Sequence, residues 1–137
     1  MSLQLDSLAK SIDILERSVK TANRVDDSDE DLKETVRAGV IHSFEVAYEQ
    51  CSKMINRWLK ENISEASAEP ITQRNLFRLG AKSQLISDSE RWMEYREARN
   101  LTSHTYDEDA AENVFREAAE FIHDAKQLLS VLEERND

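Results

Sequence analysis

Arg99-Asn100-Leu101-Thr102-Ser103-His104-Thr105-Tyr106, followed at once by Asp107, gathers a fixed cation, a titratable imidazole and a phenol within eight residues. Arginine stays protonated at any biological pH, and histidine is the side chain that exchanges a proton near neutrality. Together they can hold a phosphodiester and move a proton onto or off it without a metal. No other stretch of the chain has comparable chemical content. Read from the residues alone, the stretch is either a site or a helix end that happens to carry these groups.

Geometry narrows the alternatives. Five residues of regular helix turn through about 140°, so Arg99 and His104 would not share a face if the helix ran on. Either the helix ends near Leu101 and the chain folds back, or a working site combines residues from two chains. Thr102 to Asp109 carries no strong apolar residue, which favours a helix end. Asn100 could then cap that end or donate to a phosphate oxygen, and Arg96 is a second candidate phosphate contact.

The elements that must position these groups are helical. Two glycines, one proline and 34% charged residues in a 137-residue chain describe an all-helical protein, one domain spanning residues 1–137 with room for a real core. Residues 3–22 place Leu5, Leu8, Ile12, Leu15 and Val19 on one stripe. A second and longest helix, residues 29–61, opens on an acidic cap between Asp27 and Asp31. It carries Val36, Val40, Phe44, Ala47, Cys51, Met54 and Trp58. Gly39 in its interior marks an expected close approach of another helix. Asn62 to Pro70 is a loop, with Pro70 ending it. A short helix follows over 71–84, and Ser87-x-x-Glu90 predicts a capping box for a fourth helix from about Asp88 to Leu101. Asp107-Glu108-Asp109 opens the last helix, where Val114, Ala118, Phe121, Ala125, Leu128 and Leu132 form the apolar face. These lengths fit an antiparallel up-and-down bundle of four to five helices. The width of the last apolar face hints at a subunit interface.

Composition sets outer limits on function. A net charge of −10 argues against broad, nonspecific nucleic-acid binding. Residues 71–105, however, carry six basic side chains against four acidic ones, so the chemical stretch lies in a mildly basic island. No apolar run approaches a membrane span and no signal pattern opens the chain, so a cytoplasmic protein without membrane contact is expected. Lone Cys51 reads as a buried thiol, and Trp58 and Trp92 as core or interface anchors. Glu120-x-x-His123 matches one Glu-x-x-His pair of a di-iron site, which needs two such pairs and two further glutamates, but no second pair exists and His42 with Glu45 has the reverse order. No metal or other cofactor is expected.

The stretch from Arg99 to Asp107 resembles the Arg-x4-6-His motif of HEPN domains (higher eukaryotes and prokaryotes nucleotide-binding). More closely, it is similar to the Arg-x4-His-x-Tyr form in HEPN proteins paired with minimal nucleotidyltransferases. Phe44-Glu45-x-x-Tyr48-Glu49-x-Cys51 and Ile86-Ser87-Asp88 with Trp92 extend the resemblance over most of the chain, to the bacterial nucleotidyltransferase substrate-binding proteins. Ser52-Lys53 departs from it, standing where an aromatic follows the cysteine. The resemblance implies a homodimeric bundle with two facing motifs, within a heterotetramer or larger complex with a separately encoded minimal nucleotidyltransferase. It implies a metal-independent, toxin-like ribonuclease. There Arg99 and His104 are catalytic, Asn100 and Arg96 bind the RNA or nucleotide, and Tyr106 is the regulatory tyrosine that the partner modifies with AMP. The older family name implies instead a non-catalytic subunit that presents substrate or docks the transferase. The chain carries no Gly-Ser plus paired-aspartate pattern, so transfer chemistry is not expected of it. A plain structural bundle without a ligand is the third alternative.

Overall fold

A computed structural model describes residues 3–63 and 71–136. Five α-helices account for most of them: α1 (Asp6–Arg24), α2 (Glu30–Asn62), α3 (Gln73–Lys82), α4 (Ser89–Asn100) and α5 (Glu108–Arg135). A short 3₁₀ turn, Leu101–His104, joins α4 to α5, and no strand occurs among the described residues. The fold is an antiparallel up-and-down bundle in which α2 and α5 form the central pair. Helix α1 packs against both on one side, and α4 packs against both on the other, with α3 laid over α2 and α4.

Apolar periodicity builds this arrangement. Leu8, Ile12, Leu15 and Val19 of α1 are buried, as are Val40, Phe44, Ala47, Cys51, Met54 and Ile55 of α2. Helix α5 buries Val114, Ala118, Phe121, Ala125, Leu128 and Leu132, the face that its sequence predicts. Phe121 sits at the centre of an aromatic cluster. Its ring meets Phe44 at 5.3 Å, Trp92 at 5.3 Å and Tyr95 at 4.9 Å between centroids, all edge-on, and Tyr48 at 6.3 Å. Phe77 of α3 joins through Trp92 at 5.7 Å. Edge-on pairs of this kind add to the hydrophobic gain of burying the rings, and here they tie four helices together. Burial raises the pKa of the Cys51 thiol, which is inert inside the core.

Several boundaries differ from the sequence expectation. Helix α1 begins at Asp6; before it, the Leu3 amide donates to Asn136 Oδ1 (2.7 Å) and Asn136 Nδ2 donates back to the Leu3 carbonyl (2.9 Å). Asp29 caps α2 within the expected acidic run. Helix α3 is shorter than 71–84, capped by Thr72 and ended before Gln84, which adopts a left-handed φ of 62°. Ser87 does not cap α4. The Asp88 carboxylate, one residue nearer, accepts from the Glu90 and Arg91 amides at 3.0 and 3.2 Å, and Glu90 turns to Arg74 instead. Trp92 is a core residue, whereas Trp58 is half-buried beneath the Arg135 guanidinium. Pro70 and most of the expected loop lie outside the described residues.

Gly39 is not a point of close approach. It lies on an exposed part of α2, and a Cβ built there meets nothing within 4 Å. The glycine packed in the core is Gly80, faced by Ile55 and Ile86. Two outcomes follow for urea unfolding. Gly39→Ala should stabilise the protein by about 0.5–1 kcal/mol, by removing backbone entropy from the unfolded chain. Phe121→Ala should cost about 3–5 kcal/mol by opening a cavity in the aromatic cluster.

Candidate functional site

The chemical stretch occupies the junction between the end of α4 and the start of α5. Helix α4 stops at Asn100, as the run of Thr102, Ser103 and Thr105 demands: short hydroxyl side chains compete for local backbone groups. Thr102 Oγ1 donates to the Arg99 carbonyl at 2.8 Å, and Thr105 Oγ1 to the Thr102 carbonyl at 3.4 Å. Leu101 packs on the core and pins the tightened turn. The Asp107 amide then closes back on the His104 carbonyl (3.0 Å), and the Asp107 carboxylate caps α5 by accepting from the Asp109 amide. Helix, 3₁₀ turn and helix therefore follow within a few residues. His104 stands at the end of the 3₁₀ turn, outside the regular helical phase of α4.

His104 and Tyr106 are both exposed, with ring centroids 6.1 Å apart and the rings edge-on. Tyr106 is 87% exposed, whereas Tyr48 and Tyr95 are 4% and 1% exposed. Of the three phenols, Tyr106 alone is open to a modifying enzyme. Burial raises the pKa of the other two hydroxyls, and a bond to Asp124 holds Tyr95 in addition. Asn100 is exposed, and Arg96, one turn before Arg99, is half-buried.

Arg99 is not a bare cation. Its Nε donates to Glu49 Oε1 at 2.8 Å, and its Nη2 lies 3.9 Å from Glu45 Oε2. These two carboxylates are four residues apart and so share one face of α2. Sequence spacing names no partner fifty residues away, and neither glutamate stood out as part of a site. The available signal was their position: Glu45 and Glu49 each follow a buried aromatic, Phe44 and Tyr48, and so flank the core stripe. A second contact outside the stretch fixes its far end. Arg37 forks onto Glu108 at 2.7 and 3.0 Å, and this bond lowers the Glu108 pKa. Because the folded pKa is depressed, that support is present above the ordinary carboxylate range and is lost as pH falls through the lowered value.

Among the described residues, no group of three or more His, Cys, Asp or Glu side chains is placed to hold a metal. Glu120 of the half-motif Glu120-x-x-His123 is bonded to Arg91, in a cluster that includes Glu94 and Glu117. No described helix is long and apolar enough to cross a membrane. The arrangement thus offers a guanidinium, an imidazole and an amide around an exposed turn, with two carboxylates guarding the guanidinium.

The Arg99–Glu49 pair is half open to solvent, with side chains 34% and 58% exposed, so it is an exchangeable contact. Glu49→Gln should leave the unfolding free energy within about 1 kcal/mol of the unaltered protein, measured in urea. A larger loss would make the pair a structural strut that no phosphate could displace.

Residues 3–134 match the family described as nucleotidyltransferase substrate binding protein like. A protein of Haemophilus influenzae named "Probable ribonuclease HepT" is 34% identical over 106 residues, covering 77% of this chain and 73% of the relative. A solved Haemophilus influenzae structure, described as revealing the fold of a substrate-binding domain of a nucleotidyltransferase, superposes with a TM-score of 0.82. It shows 29% identity over 95% of this chain and 99% of its own. A Thermus thermophilus structure shares the fold at a TM-score of 0.73 and 24% identity, covering 91% and 98% of the two chains. The family match runs from the start of the described residues nearly to their end, across the α4–α5 junction with its Arg99, His104 and Tyr106. The chain therefore belongs to the nucleotidyltransferase substrate-binding protein-like family.

Proposed function

We propose that this chain is the HEPN-type subunit of a cytoplasmic two-component system with a separately encoded minimal nucleotidyltransferase, and that it cleaves RNA as a homodimer without a metal. The observation that carries this reading is the exposed imidazole of His104, one 3₁₀ turn beyond a guanidinium whose two carboxylate partners, Glu49 and Glu45, are partly open to solvent and exchangeable. The Haemophilus relative named as a ribonuclease supports it.

In this reading an RNA phosphodiester takes the place of Glu49 on Arg99. The adjacent 2′-hydroxyl attacks phosphorus, the 5′-oxygen leaves, and His104 moves the proton of the attacking hydroxyl or of the leaving oxygen. Arg99 stabilises the charge of the phosphorane, a role in which a fixed, forked cation surpasses an ammonium. Asn100 and Arg96 orient the phosphate. Two chains face each other across the motif, within a heterotetramer or larger assembly with the transferase. Tyr106 is the acceptor of AMP from the partner: it projects into solvent beside His104, and an anionic, bulky adduct there would exclude RNA by charge and volume.

A second reading has its own observation. The carboxylates of Glu45 and Glu49 meet any anion that approaches Arg99. A subunit that never cleaves RNA, and instead docks the transferase or presents its substrate, would keep Arg99 paired in this way.

The deciding experiment incubates the purified protein with RNA in excess chelator. Cleavage is expected, lost by at least a hundredfold in His104→Ala with the oligomeric state unchanged. Cleavage that persists in that variant rejects the catalytic assignment, and no cleavage by the unaltered protein favours the docking subunit. Co-expression with the transferase should add the mass of adenylate to the protein, and Tyr106→Phe should abolish the addition.

A further inference from the structure

A groove runs away from Arg99 along α2 and belongs to none of the roles above. It is a cavity of about 310 Å³ between α2 and the first turns of α3. Glu49, the partner of Arg99, forms its near wall, so the two sites share a residue. Beyond Glu49, Ser52, Lys53, Asn56 and Lys60 follow at spacings of three and four on the same face of α2. The facing wall is Gln73 and Leu76 of α3.

Three features make this groove a place for a nucleic-acid strand. The first is charge. The groove carries two lysines against one carboxylate, Glu49, in a chain of net charge −10, so it stays net positive by one even when a phosphate displaces Glu49 from Arg99. Among the described residues, no carboxylate lies within ion-pair distance of Lys53 or Lys60. The second is a fixed polar fitting. The side-chain carbonyl of Gln73 accepts from both Tyr48 Oη (2.9 Å) and Ser52 Oγ (3.3 Å). With that end pinned by two hydroxyls, the amide presents its N–H donors on the other side. The third is length. Along α2 Lys53 lies about 6 Å and Lys60 about 16 Å beyond Glu49, at 1.5 Å per residue. That span matches about five stacked nucleotides, or fewer in a drawn-out strand.

We propose that this α2–α3 groove binds the backbone of a single-stranded RNA on one side of the phosphate held at Arg99. Lys53 and Lys60 contact phosphates about three stacked nucleotides apart, and the Gln73 amide donates to the strand on the Arg99 side of Lys53. The proposal rests on the reading of Arg99 as the phosphate contact. No aromatic side chain lines the groove, so nothing stacks on the bases. The hold is on phosphates and indifferent to sequence. It also gives Lys53 a use where the sequence departs from the family's aromatic.

The test uses the full-length protein carrying His104→Ala, so that bound RNA is not consumed, and a fluorescent ten-nucleotide single-stranded RNA titrated at several salt concentrations. Adding Lys53→Ala and Lys60→Ala should weaken binding about tenfold at low salt. It should also flatten the slope of log affinity against log salt by about 1.4, the contribution of two phosphate contacts. Unchanged affinity and slope would overturn the proposal, as would failure of the RNA to bind at all. So would loss of the transferase from the double variant with RNA binding intact, which would assign the lysines to protein docking. Cleavage assayed in parallel with His104 restored separates the two claims. An uncleaved RNA whose binding still depends on the lysines rejects the catalytic reading and keeps the groove. A cleaved RNA whose binding ignores them does the reverse.

Discussion

The edge-on contacts of Phe121 are the constraint from which the candidate site follows. Phe121 lies on α5, Phe44 and Tyr48 on α2, Trp92 and Tyr95 on α4, and the contacts of their rings join the three helices at one level of the bundle. Glu45 and Glu49 each follow one of the α2 rings by a single position, and Arg96 and Arg99 follow Tyr95 by one and four. A step of one residue turns about 100° around a helix, and a step of four returns nearly to the same line. The polar groups are thereby placed as a rim around the aromatic cluster, opposite one another across the α2–α4 contact. The apolar interior sets the geometry of the charges, and the charges add little to its stability.

Much of this was legible in the sequence. The stripes on the five helices, the end of α4 near Leu101, the acidic caps of α2 and α5 and the buried thiol of Cys51 follow from periodicity and from side chains with local preferences. Adjacent candidates with the same chemistry were less decidable: Ser87 and Asp88 can both cap a helix, and only the backbone path shows that Asp88 reaches the amides. Gly39 misled for a similar reason. A glycine inside a helix can mark either a contact or an unremarkable exposed position, and nothing in the pattern of neighbours separates the two.

The candidate site divides along the same line. Arg99, His104 and Tyr106 are close in sequence, so their juxtaposition could be read directly. The groups that govern Arg99 could not, because periodicity assigns a residue to a face without naming what lies across from it. Glu49 and Arg37 reach the stretch from α2, and their partners Arg99 and Glu108 are far along the chain. Long-range charge pairing depends on helix register, and register depends on how the aromatic rings interlock. The signal lay in Phe44 and Tyr48, one step removed from the carboxylates.

The reciprocal bonds between Leu3 and Asn136 bring residues 133 positions apart into contact and make the backbone a nearly closed circuit. A short peptide can bridge Leu3 to Asn136, and the circuit can then be opened elsewhere with little loss. The turn between α1 and α2, around Asp26 to Ser28, is exposed and held by local bonds. A permuted chain cut there would begin with α2 and finish with α1, and the α4–α5 junction would lie uninterrupted inside it.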